Sequence, residues 1–447
     1  MPAPAAPRRW FGIEPIERGW AVAFGVVLLS NSLASQISDI VAVSGFLSKV
    51  GVPQLIAVWA ADYLLILGIS GLQSLIVDRV DRRRLIVWVS AGFVIVFIAL
   101  RLGFAFQAPL WLLYSVLYVA GDQQLLFFPL IFWVLAADTV NPTQAQRTFP
   151  FISSCGIAGK LAGIGLAAAA PLLLPRFQLA AIDILYVNAS IYAVALAISA
   201  GRLARLERHD QTYRHEGLRQ TLSDGWHFVW RTPAFRFLAL SITALIACDL
   251  ILEFRFYAIS EMVFPSTASY QEFYSGYRFA FTLASLLVEG IAVKRLLRRL
   301  GLKNALFFQP IGAIIGSAAM IALPGLPTAV GGMILQKLPQ GTLDETARKD
   351  IETLVPPDRR GRVSILIDSY LYAAGSVIGC VVLGIIVVCQ IALNLPHLFY
   401  AYLAIALAAA VCALWLAFRF RNSYEDSLLQ GALARRKRTS SVLDRLS

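Results

Sequence analysis

Residues 78–106 read DRVDRRRLIVWVSAGFVIVFIALRLGFAF, a basic run (Arg79, Arg82, Arg83, Arg84) followed from Leu85 to Phe106 by an apolar stretch with one cation, Arg101. A run of that length crosses a hydrocarbon layer about 30 Å thick as a helix rising about 1.5 Å per residue. No water reaches that layer, so each backbone N–H and C=O must be satisfied inside the segment or in a closed barrel. Long Leu/Ile/Val/Ala/Phe runs without strict alternation exclude the barrel. The arginines in front fix the side, because short loops rich in Arg and Lys stay cytoplasmic.

The same unit recurs outward in both directions. Apolar spans are expected near 20–46, 54–77, 85–106, 109–137, 150–174, 180–201, 235–262, 271–293, 302–322, 325–347, 362–389 and 391–418. With the N-terminus inside, the cytoplasmic segments collect nearly all the basic residues. Arg8, Arg9 and Arg18 precede span 1, and Arg147 precedes span 5. Arg202, Arg205, Arg208, Arg214, Arg219 and Arg231 follow span 6, and Lys294 to Lys303 follow span 8. Arg348, Lys349, Arg359 and Arg360 precede span 11, and Arg435, Arg436, Lys437 and Arg438 lie in the tail. Outside segments hold Lys49, Arg101 and Arg176. A wrong span count would break this alternation. The expected order is a cytoplasmic segment 1–19, a six-helix half 20–201, a cytoplasmic loop 202–234, a second half 235–418 and a basic tail 419–447. Both termini are then cytoplasmic, and the expected location is a bacterial inner membrane.

Composition agrees: hydrophobic residues make up 58% and charged residues 15% of 447, with mean hydropathy +0.68. Soluble domains carry about 25% charged residues. The net charge of +12 therefore reflects cytoplasmic loops, and no nucleic-acid partner is expected. Cys155, Cys248, Cys380, Cys389 and Cys412 fall in or beside apolar spans without histidine at ligand spacing, so neither disulfide nor metal site is expected. Span 1 is too long for a signal-peptide core and contains Asn31, Gln36 and Asp39, so it is expected to stay. There is no Walker A loop, Gly156-Ile157-Ala158-Gly159 follows no strand, and neither an enzyme nor a cofactor is expected.

Landmarks repeat at offsets of 214 to 216 residues. The basic run after span 2 matches the run from Lys294-Arg295 after span 8, and Pro142 with Arg147 matches Pro357 with Arg362. Gly159 and Gly163 match Gly375 and Gly379, and Asp39 matches Glu253. Two six-helix pseudo-repeats resemble the major facilitator architecture, so the expected fold is an all-α polytopic membrane protein of about twelve transmembrane helices of that type. Pro129 in span 4 and Pro339 with Gly341 in span 10 predict interruptions at matching places.

Ionisable groups in the hydrocarbon are costly and mark pathways or buried pairs. Asp138, Glu261, Glu289 and Glu345 sit near span ends, where snorkelling makes them cheap. Deeper groups are Asp39 in span 1, Lys160 in span 5, Asp249, Glu253 and Arg255 in span 7, Arg278 in span 8, Lys337 in span 10 and Asp368 in span 11. Asp249 and Glu253 stack at i,i+4, which requires a cation or a proton between them; Arg278 is a candidate to reach either. Two readings stay open. Lys160, Arg255, Arg278 and Lys337 meet an anionic substrate, with Asp39, Asp249, Glu253 and Asp368 gating or coupling; or these charges form inter-helix salt bridges that open and close.

Residues 132–147, from Phe132-Trp133 through Ala137-Asp138 and Asn141-Pro142 to Arg147, resemble the ADP/ATP translocase family of nucleotide exchangers. Val355-Pro356 through Arg362 with Ile367-Asp368 and Gly375, and Ile251-Leu252-Glu253-Phe254-Arg255-Phe256, are similar to further segments of that family. The resemblance implies a major-facilitator-like fold and exchange of nucleotides through intramembrane lysines. Two positions depart from it: Ser38 and Tyr257 stand where relatives carry lysine. The expected function is a secondary transporter of an organic anion, with a nucleotide or other phosphate compound as the class and antiport as the implied mode. The alternatives are a non-transporting signalling or scaffold module and a lipid flippase. The expected partners are a small anionic substrate and the lipid bilayer; the sequence does not fix an oligomeric state.

Overall fold

The computed structural model describes residues 13–15, 17–76, 81–203, 218–352, 355 and 362–443. The apolar run after Arg82-Arg83-Arg84 forms α3 (Arg82–Ala105), capped by Asp81, whose side chain accepts from the Arg83 amide at 3.1 Å. Arg82 pairs with Asp138 at one end, and Arg101 pairs with Asp183 at 2.5 Å at the other. Around it run α1 (Arg18–Lys49), α2 (Val52–Ile76), α4 (Leu110–Thr139), α5 (Pro142–Leu173) and α6 (Ile184–Gly201). Then come α7 (Leu218–Arg231), α8 (Pro233–Val263), α9 (Thr267–Leu287), α10 (Lys294–Leu300), α11 (Leu302–Ala305), α12 (Phe308–Ala322), α13 (Leu326–Pro339), α14 (Glu345–Glu352), α15 (Tyr372–Leu393) and α16 (Phe399–Leu443).

Nine helices among the described residues are long and apolar enough to cross a membrane. The other three expected spans are α2, with its apolar part Val52–Gly68, α9 and α13. Their helices are shorter or more polar: Glu272 and Arg278 lie in α9, and Lys337 lies in α13. Span 5 starts at Pro142 and not near 150, because Asn141 and Gln144 form a capping box and Pro142 takes the first helical position.

The chain forms two compact units. The first comprises residues 1–51, 75–215 and 264–280, and the second 52–74, 216–263 and 281–447. Membership follows packing rather than chain order: α2 belongs to the second unit and the first part of α9 to the first. In the first unit α1 is the hub, buried along most of its length against α4, α5 and α6. In the second, α8 plays that part against α13, α15 and α16.

The two hubs are built alike. A Cβ on Gly159 or Gly163 of α5 would lie 2.4 Å from the Leu29 or Leu33 carbonyl oxygen of α1. On Gly375 of α15 it would lie 2.9 Å from the Thr243 oxygen, and on Gly379 3.3 Å from the Ala247 oxygen, both on α8. Thr243 and Ala247 stand at the same offset from Leu29 and Leu33 as Glu253 from Asp39. Hub and glycine face therefore repeat together, and small residues set close helix contact.

Only one of the two expected interruptions exists. α4 runs uninterrupted through Pro129, whereas α13 ends at Pro339 and a π-turn, Gln340–Asp344, leads into α14. Two more π-turns, Val288–Val293 and Leu366–Leu371, follow α9 and precede α15. Pro339 frees the Leu335 carbonyl four residues earlier. That oxygen lies 2.1 Å from where a Cβ on Gly312 of α12 would sit, so the bare glycine lets α12 close on the break.

Candidate functional site

In the first unit, Gln36 and Asp39 share one face of α1 at i,i+3. Arg278 of α9 reaches both: its Nη2 lies 2.8 Å from Asp39 Oδ2 and donates to Gln36 Oε1 at 3.0 Å. Tyr274, one turn earlier, places its ring centroid 6.0 Å from the guanidinium. Ser38 points elsewhere. It is fully buried and accepts from Asn188 Nδ2 at 2.9 Å. Asn188 also donates to the Ala34 carbonyl, while Tyr192 donates to Asn31 Oδ1 at 2.6 Å and Asn31 to the Gln124 carbonyl at 3.0 Å. One flank of α1 is thus a closed polar seam and the other carries the ion pair. Lys160, next to the packing glycine Gly159, is exposed on α5.

In the second unit, the i,i+4 carboxylates of α8 do hold a cation between them, and it is Lys337. Its Nζ lies 3.3 Å from Asp249 Oδ2 and 2.9 Å from Glu253 Oε2. Tyr257 Oη donates to Glu253 Oε1 at 3.0 Å, and the Gln340 side chain hydrogen-bonds Asp249. Gln340 opens the π-turn after Pro339, so the break in span 10 delivers both Lys337 and Gln340 to the pair. Arg278, the candidate considered for Asp249 or Glu253, lies on Asp39 and Gln36 within the first unit. Arg255 does not join Lys337. It is 8% exposed, with its guanidinium 3.9 Å from the Phe399 centroid and Tyr402 as hydrogen-bond partner. Helical geometry turns residue 255 about 200° from 253, so this divergence was readable in the spacing.

A second tier of charges lies where helices end. Asp138, expected to snorkel, is buried and paired with Arg82; Glu289 and Glu345 are exposed and Glu261 half-buried. Arg147 at the start of α5 clamps Glu14 at 2.6 Å and Glu17 at 2.8 Å. In the second unit Lys349 pairs with Asp368 and, at 3.6 Å, with Glu352, while Ser364 donates to Asp368 at 3.0 Å. Glu352 follows Asp138 by the same offset that separates Glu253 from Asp39, so both units bury an acid at the equivalent helix end. Burial, then the Asp368 carboxylate, pushes the Glu352 carboxyl above its ordinary value, against the lowering pull of Ser364, Lys349 and Arg348. Arg79, Arg205, Arg208, Arg214, Pro357, Arg359 and Arg360 lie outside the described residues.

With this geometry in hand, comparison with solved structures identifies the architecture. The chain is similar to the nucleoside transporter NupG (TM-score 0.60, 14% identity, 90% of this chain and 98% of that one). It is also similar to a bacterial homologue of the iron transporter ferroportin in an inward-facing state (0.63, 16%, 91% and 99%). A bacterial homologue of the human lysosomal transporter Spinster matches as well (0.60, 17%, 94% and 98%). The fold is of the major facilitator type. At these identities the likeness is one of fold alone. No known family pattern and no curated protein matches the sequence. An all-α polytopic membrane protein of major facilitator type accounts for the two similar hubs, α1 and α8, and for a charged cluster on each.

Proposed function

We propose that the protein is a secondary transporter working by alternating access, and that its substrate is a small organic anion of low charge. The class to test first is nucleotides and other phosphate compounds. The observation that carries the reading is the placement of Lys337, a half-buried cation shared by two carboxylates at a break in span 10. Ionisable groups this deep are costly unless function retains them, and broken helices in this fold supply substrate groups. Arg278 on Asp39 is the matching element of the other unit. An incoming anion competes with carboxylates for each of these cations, so exchange of partners couples binding to helix movement. Asp39, Asp249 and Glu253 are the coupling groups in this reading; Lys160 and Arg278 are the anion-meeting cations of the first unit and Lys337 that of the second, and Asp368 with Lys349 forms a gate. Arg255 is a positioning residue that holds α8 against α16.

Low substrate charge follows from the same balance. Arg278 and Lys337 already face three carboxylates, and desolvating a polyphosphate requires more free cations than these. Where the ADP/ATP translocase resemblance implies lysines, Ser38 is sealed in the α1 seam and Tyr257 donates to Glu253. The test is thermal stability of the purified protein against nucleoside mono-, di- and triphosphates, inorganic phosphate and other organic anions, followed by counterflow in proteoliposomes. A ligand at about one hundred times its dissociation constant stabilises by about 2.7 kcal/mol. A shift with a monophosphate that weakens in Lys337→Ala and Arg278→Ala supports the reading. No shift and no counterflow with any anion overturns it.

A further inference from the structure

The expected loop between the halves contains α7, and α7 has two unlike faces. Val229 is 2% exposed and packs in a cluster with Phe235, Leu238, Val363 and Leu366, while the Phe228 ring meets Phe235 at 5.3 Å. A Cβ on Gly225 would lie 3.0 Å from the Arg362 carbonyl oxygen, so this face is packed inside the second unit, to which α7 belongs. The other face carries Trp226 and Trp230, 48% and 37% exposed, with ring centroids 5.3 Å apart. At i,i+4 they make one continuous indole patch. Two tryptophans turned away from a packed core are poorly placed in water and well placed at a bilayer boundary, where an apolar ring and an N–H donor are both satisfied.

Depth supports that boundary. Trp230 lies three residues before Pro233, where membrane-crossing α8 begins. Trp415 of α16 is 52% exposed with the Arg419 guanidinium 5.0 Å from its ring, and the next residue, Phe420, belongs to the cluster that holds Val229 and Phe235. The α7 indoles and the Trp415–Arg419 pair thus mark one level of the second unit. Charge selects the lipid: residues 218–236 contain Arg219, Arg231 and Arg236 against one acid, Asp224, and His227 and Arg231 are exposed beside the indoles.

We propose that α7 is a lipid-binding helix, with Trp226 and Trp230 seated in the headgroup layer and Arg231 and Arg236 holding the phosphates of anionic lipids. An amphipathic helix with aromatic residues on one side and basic residues flanking it lies in the interface plane. The inference goes beyond the transport reading and does not depend on it. The full-length protein is placed in nanodiscs of phosphatidylcholine, with brominated phosphatidylglycerol or brominated phosphatidylcholine added in matched series, and tryptophan quenching is followed. Brominated phosphatidylglycerol quenches the native protein more strongly, and W226F/W230F removes that difference. R231Q/R236Q keeps the quenching by phosphatidylcholine, but its preference for the anionic lipid falls about five-fold per arginine removed. Unchanged lipid quenching in W226F/W230F, as when a second copy or residues 204–217 cover the patch, overturns the proposal, and so do equal effects of the two lipids on the native protein.

Discussion

At the scale of single residues, charge balance decides which substitutions are tolerated. Lys337→Ala leaves Asp249 and Glu253 facing each other without their cation, and breaking a buried pair costs about 3–5 kcal/mol. Asp249→Asn removes one of the two charges, so D249N/K337A is expected to recover part of the loss, a coupling read by a double-mutant cycle of thermal unfolding. Additive effects of the two substitutions would mean that Lys337 does not bridge the acids. Asp138 and Arg82 form a simpler case: Asp138→Ala should be strongly destabilising, whereas R82L/D138L, which removes both charges and keeps apolar bulk, should unfold close to the native protein. Glu352 adds a pH dependence. Its folded-state carboxyl is raised above the unfolded value, so the native state binds the proton more tightly. That contribution is fully present below the ordinary carboxylate range and is lost as pH rises through the raised folded pKa. Glu352→Gln should flatten the fall in stability over that window; an unchanged profile would show that another group sets it.

At the scale of helices, contact distance separates glycines that pack from glycines that do not. Gly159→Ala and Gly163→Ala would each put a Cβ 2.4 Å from a carbonyl oxygen of α1, so α1 and α5 must part. Overpacking of this kind costs about 1–3 kcal/mol. Gly165, two residues after Gly163, has nothing within 4 Å of an added Cβ, and Gly165→Ala should unfold no earlier than the native protein. Equal losses at all three positions in a thermal scan would locate the effect in helix propensity instead of packing. These glycines were legible because they recur at the offset that relates the halves. The π-turns were not: Val288–Val293 and Leu366–Leu371 contain no proline to mark a break. Neither was α7, which reads as loop until its buried Val229 and exposed paired indoles are seen side by side on one helix. Lys337 between Asp249 and Glu253 was half legible, since the i,i+4 carboxylates demanded a cation, but sequence spacing alone does not say which helix brings it.

At the scale of the whole molecule, charge alternates along the chain. Hydropathy alone picks out nine helices among the described residues; of the three expected spans it misses, α9 and α13 carry Arg278 and Lys337 of the charged clusters, and the apolar part of α2, Val52–Gly68, is short. Counting only the apolar helices and counting the basic loops therefore give different parities between distant loops, and labelling separates them. Leu179, in the connection between α5 and α6, and Arg299, at the end of α10, are both exposed. Three crossings separate them, namely α6, α8 and α9. In a background with the five cysteines replaced, Leu179→Cys should react with a membrane-impermeant thiol reagent added to intact cells. Arg299→Cys, within the run from Lys294 to Lys303, should react only after the membrane is opened, because cationic loops are retained inside. Removing one arginine from that run leaves enough positive charge to hold it there. Labelling of both positions from the same side would make the number of crossings between them even, and α9 with its Arg278–Asp39 pair could then not be a membrane span.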